Sequence, residues 1–157
     1  MAIGPAQLVA GPWADRADDE PPEFDGMLRE YVYAVAAGWR IGAEFCVLDM
    51  ETPAWAYVAL DWELPRYPNR DLALLWDERT GWSVAIETHS SEDLIVVACP
   101  NDPAVVPPPA RVCRFVDRLT RHGGWAGRRD PSAWRPPGRH QELATRMAGV
   151  LALRPVS

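Results

Sequence analysis

Apolar residues recur at helical spacing from Phe24, switch to strict alternation near residue 44, and return to helical spacing only after Pro109. The first block predicts a helix from Phe24 to about Ala37, with Met27, Leu28, Tyr31, Val32 and Val35 on one face. Asp25 reads as its cap and Gly38 as its stop, while Arg29 and Glu30 fall on the solvated side. Period-two patterning then predicts five strands, at 44–49 (EFCVLD), 55–62 (WAYVALDW), 71–77 (DLALLWD), 81–88 (GWSVAIET) and 93–99 (DLIVVAC). In the second, Trp55, Tyr57 and Ala59 share one face, and Ala56, Val58, Leu60 and Trp62 the other. Glu78-Arg79-Thr80 is a short hairpin connection. The fifth run is almost continuously apolar, which predicts a central strand buried on both faces. The connections are too short for the crossovers of about a dozen residues that parallel pairs need, so the sheet is read as an antiparallel meander.

Pro100 to Pro109 cannot continue a strand, and Pro109 suits the first turn of a second helix reaching Arg121. That helix carries two stripes. Val112, Phe115, Val116 and Leu119 form the apolar one, and Arg111, Arg114, Arg118 and Arg121 form a charged one. Gly123-Gly124 ends the helix, and residues 125–138 read as an arm anchored by Trp125 and Trp134. A short last helix spans about 139–153, with Leu143, Met147, Val150 and Leu151 as its apolar positions. The expected fold is α+β: a five-stranded antiparallel meander flanked by an N-terminal and a C-terminal helix, plus a basic arm with a short helix. The chain divides into an acidic flexible leader (1–23), the α+β domain (24–121) and an Arg/Trp/Pro-rich arm with its helix (122–157).

Charge changes that picture most. Residues 1–110 hold 19 Asp/Glu and 6 Arg, whereas residues 111–157 hold 3 Asp/Glu and 10 Arg, a formal −13 against +7 within a net −6. The basic segment needs a negative partner: its own body, a second subunit, another protein or a nucleic acid. Every cation is Arg, so each basic contact is a planar fork able to grip carboxylate or phosphate bidentately. Cys46, Cys99 and Cys113 are odd in number and widely spaced, which reads as free thiols in a reducing cytoplasm. The first residues lack the charge and apolar pattern of a secretion signal, and no run of about 20 apolar residues offers a membrane span. A cytoplasmic protein is expected.

The stretches YVALDWELPRYPNRDLALLWDERTGWSVAIET, EDLIVVA and PPPARVCRFVDRL resemble an uncharacterised family of small actinobacterial proteins, over about residues 27–121. The resemblance implies a single compact domain from a GC-rich actinobacterium. It implies no activity.

Candidate chemistry is sparse. Asp77, Glu78 and Glu87 fall at strand ends, with His89, Glu92 and Asp93 beyond. Carboxylates with a His can bind a divalent ion, but no ligand spacing repeats, so no metal, cofactor or catalytic residue is assigned. His122 and His140 read as solvated members of the Arg-rich segment. No Walker loop, GxSxG, HExxH or GxGxxG occurs. The first functional expectation is therefore a non-enzymatic interaction or regulatory, adaptor-like protein. Its contacts would be Arg114, Arg118, Arg121, Trp125, Arg128, Arg129 and Trp134, and its partner a protein or a second copy. The alternative is a small-molecule-binding protein or enzyme with an aromatic pocket of Trp62, Tyr67, Arg70 and Trp76 between sheet and helix. Nucleic acid ranks third, because an acidic body repels a phosphate backbone.

Overall fold

Alternating apolar residues over 46–98 need one covered face, and three helices supply the cover. In the computed structural model, which describes residues 22–88, 93–122 and 127–153, α1 (Phe24–Ala37) leads through a short 3₁₀ turn (Ala43–Phe45) into the sheet. The strands are β1 (Cys46–Asp49), β2 (Trp55–Leu60), β3 (Leu72–Asp77), β4 (Gly81–Glu87) and β5 (Leu94–Ala98). They are followed by α2 (Pro109–Arg121) and α3 (His140–Ala152). Every neighbouring pair is antiparallel in the order β1-β2-β3-β4-β5, so the fold is an α+β meander.

The register sorts the side chains into rows. On the inner face Ala56, Trp76 and Trp82 stand side by side, as do Val58, Leu74 and Val84. All six are buried, together with Leu28, Tyr31 and Val32 of α1, Val112 and Val116 of α2, and Leu143, Ala144 and Met147 of α3. Residues beyond 121 thus share one core with the sheet. The indoles at its centre are not left polar: Trp76 Nε1 donates to the Val105 carbonyl at 2.9 Å and Trp82 Nε1 to Tyr31 Oη at 3.0 Å. The Pro-rich crossing is therefore buried backbone that satisfies a core tryptophan.

Asp25 lies inside the first turn of α1, where its charge favours the helix N-terminus, and Glu23 holds the cap position without a side-chain bond. Gly38 ends α1 in an ordinary right-handed conformation (φ −60°). Its requirement is space. A Cβ there would sit 2.5 Å from Cys113 Sγ, so glycine permits α1 and α2 to approach.

One expectation is corrected. β5 is not central; it is the last strand of the meander and forms an edge. Short connections add each strand beside its predecessor, so the final one has a neighbour on one side only. Leu94, Ile95 and Val96 are 40%, 50% and 44% exposed, and double burial does not explain their apolar character.

Candidate functional site

Three places concentrate chemistry. The first is a buried clamp. Glu78, in the β3–β4 turn, is 0% exposed, and its backbone N–H donates to the Ala54 carbonyl at 3.0 Å. Its carboxylate accepts from Ala54 N–H at 2.6 Å and Gly138 N–H at 2.7 Å. Arg135 Nη1 donates to the same carboxylate at 3.1 Å, and His140 Nε2 lies 2.8 Å away. A carboxylate only accepts, so His140 presents its Nε2 hydrogen to Glu78 while the imidazole stacks on Phe24 with centroids 4.0 Å apart. Arg135 also donates to the carbonyls of Glu78 and Gly138, and its own N–H to Arg79. Burial pushes the Glu78 carboxyl up, yet the bonds from Ala54, His140 and Gly138 outweigh it and hold the group below the ordinary glutamate value. A carboxylate with no solvent access and four donors on it is a tie between body and arm, not a base waiting for substrate. His140, read as solvated, and Arg135 are thus both structural partners, 62 and 57 residues from Glu78.

The second is a cleft of about 550 Å³ between α2, the turn at Pro100–Asp102 and the arm at Gly127–Arg128. The arm reaches it through a pair of backbone bonds: Cys99 N–H to Arg128 O at 2.6 Å and Arg128 N–H to Cys99 O at 2.8 Å. Gly127 makes that approach possible. Its φ is +83°, and a Cβ would lie 2.6 Å from Cys99 O and 2.7 Å from Phe115 Cε1. Of the expected interaction residues, Arg114, Arg118 and Arg128 meet in this cleft, joined by Arg111 and Phe115. Arg121 and Arg129 are exposed outside its lining, and Trp134 stands 70% exposed on the arm. Trp125 and the Gly123–Gly124 stop lie outside the described residues, as do His89 and Glu92.

The third is the outer sheet face with its β5 edge. Val47, Tyr57, Leu75 and Ser83 form a row across four strands. With Trp55, Leu94 and Val96 they line a shallow concavity of about 570 Å³. Burial raises the Tyr57 hydroxyl above the ordinary tyrosine value, and the charges of Glu87 and Asp71 raise it further, so the rim of this face is negative.

The aromatic pocket does not assemble. Trp76 is sealed in the core at the β3–β4 turn, while Arg70, just before β3, donates to the Glu87 carbonyl at 3.2 Å at the far end of the hairpin. Tyr67 is half-buried under the Arg66 guanidinium, 5.5 Å from its ring centroid. Trp62 packs beside Trp39, 5.8 Å between centroids, over a separate cleft with Ile41 and Phe45. Among the described residues no group of three or more His, Cys, Asp or Glu is placed to hold a metal ion. Nor is any helix there long and apolar enough to cross a membrane.

The meander and the helix on either side of it, residues 31–118, match the model of a family of unknown function, DUF6292. The chain belongs to that family. The DUF6292 match ends on α2, so the arm, Arg135 and α3 lie beyond it. No curated protein and no solved structure was found to match the chain.

Proposed function

We propose that this DUF6292 protein is a non-enzymatic interaction protein of regulatory or adaptor type, and that it works as a dimer joined through β5. The observation that carries this reading is the edge strand. Residues 94–98 (LIVVA) hold no charge and no proline, two of the devices that normally blunt an edge. Three of the five are 40% exposed or more. Among the described residues, only Arg128 pairs with the free side of this segment, at its Cys99 end.

The favoured occupant is a second copy. Stacking two outer faces would bring two negative rims together, whereas pairing β5 with β5 keeps those rims apart. With a two-fold axis near Ile95, clear of the Cys99 end that Arg128 already covers, antiparallel pairing lets the unpaired backbone groups of both edges satisfy one another across an apolar centre. The Lys-free, Arg- and Pro-rich composition supports an actinobacterial setting for this role, and the free cysteines Cys46, Cys99 and Cys113 support a reducing, cytoplasmic one.

Sedimentation equilibrium tests the reading. The full chain is expected to dimerise with micromolar affinity, and Ile95→Lys to be monomeric with an unchanged far-UV spectrum. A monomer at every concentration, or a dimer indifferent to Ile95→Lys and to Val96→Glu, overturns it.

A further inference from the structure

We infer that the arginine cleft between α2 and the arm is a binding site for a small polyphosphate anion of the nucleoside di- or triphosphate class. Four guanidinium groups, those of Arg111, Arg114, Arg118 and Arg128, line one cleft on a chain of net charge −6. Arg111 is matched by Asp102, at 3.0 Å. Among the described residues no carboxylate lies within ion-pair distance of Arg114, Arg118 or Arg128. The arrangement is costly without a ligand. Arg114 and Arg118 stand four apart on one helix, the spacing at which like charges repel. The helix dipole favours cations only in the last turn, which accounts for Arg118 and Arg121. It disfavours Arg111, which lies in the first turn of a helix with no acidic residue there.

A polyphosphate answers each of these features. Guanidinium forks bind phosphate oxygens bidentately, and three uncompensated positive charges match the charge of a di- or triphosphate. The 550 Å³ cleft lies in the size range of small-molecule sites. Phe115 adds an aromatic wall, suited to a base rather than to a bare inorganic ion. A nucleic-acid strand is disfavoured, because it would have to run past the acidic body on leaving the cleft.

Isothermal titration calorimetry on the full chain, without added metal, tests the site with ATP, GTP and inorganic tripolyphosphate as probes. The nucleotides are expected to bind, and the Arg114→Ala/Arg118→Ala variant to lose about ten- to a hundredfold or more in affinity. Arg121→Ala removes one positive charge from the same helix outside the cleft, and is expected to stay within about threefold of the parent. Phe115→Ala is expected to weaken the nucleotides while sparing tripolyphosphate. Thermal melts of each variant check folding. No heat with any probe at about millimolar concentration, or equal losses for Arg121→Ala and the double variant, overturns the site. Tripolyphosphate binding as tightly as the nucleotides overturns the nucleoside assignment.

Discussion

Replacing Glu78 with Ala removes the acceptor of four contacts: Ala54 N–H at 2.6 Å, Gly138 N–H at 2.7 Å, Arg135 at 3.1 Å and His140 at 2.8 Å. It also strands Arg135, whose side chain is only 11% exposed, without its counter-ion. Removing one partner of a buried ion pair costs ~3–5 kcal/mol, and each orphaned buried amide adds ~1–3 kcal/mol. Water entering the vacated space recovers part of this, so a net loss of ~4 kcal/mol is expected. In a chain of 157 residues each kcal/mol lowers Tm by ~2–4 °C, which makes the expected drop ~8–16 °C. Urea denaturation followed by far-UV circular dichroism and tryptophan fluorescence reads the free energy directly. Glu78→Gln keeps the shape and one carbonyl acceptor and is expected to lose about half as much. Arg135→Ala completes a double-mutant cycle, in which the two single losses must exceed the double loss. A Glu78→Ala chain within ~1 kcal/mol of the parent, or strictly additive single losses, would refute the clamp.

The same group sets a pH dependence. Its folded value lies below the ordinary glutamate value, so its stabilisation is complete above about pH 4.5 and is lost as pH falls through the lowered value. Asp77 acts in the same sense: burial raises its carboxyl, and the bonds from Arg79 more than reverse that. Acid titration of stability should therefore be steep in the parent and shallower in Glu78→Gln. Gly38→Ala is expected to cost ~1–3 kcal/mol through its clash with Cys113 Sγ at 2.5 Å, and Cys113→Ala in the same chain to restore much of it. Burial pushes the Cys113 thiol up to about 11, with the charge of Asp117 adding to it. Burial likewise raises Cys46 and Cys99. Alkylation at pH 8 should accordingly be slow until the chain is unfolded, and prompt labelling of native Cys113 would contradict its placement.

Local pattern carried most of the fold. Tyr31, Val32 and Val35 sit on the buried face of α1 because helical periodicity put them there, and the Trp76–Trp82 pair follows from alternation on both arms of one hairpin. The Pro109 start of α2 was equally local. What the sequence could not carry was distance. Nothing in the spacing of Glu78, Arg135 and His140 marks them as partners, because that contact depends on where the arm returns. The Trp62–Trp76 grouping dissolved for the same reason: proximity along the chain placed the two at opposite ends of β3. β5 is apolar in composition, but composition cannot distinguish a strand buried by its own sheet from one left open at an edge. The arginine cleft was half legible. The stripe on α2 was visible, whereas the contribution of Arg128 needed the backbone pairing at Cys99.

The clamp divides unevenly across the family boundary. Glu78 lies inside the matched span 31–118, while Arg135, Gly138 and His140 lie beyond it. A buried carboxylate without its donors is a liability, and an arm with a largely buried arginine but no carboxylate is equally so. The two halves are therefore expected to be inherited and lost together. Homologues that keep the meander but end near α2 should carry a neutral residue where Glu78 stands, and a transplanted arm should take hold only on a body that presents that glutamate.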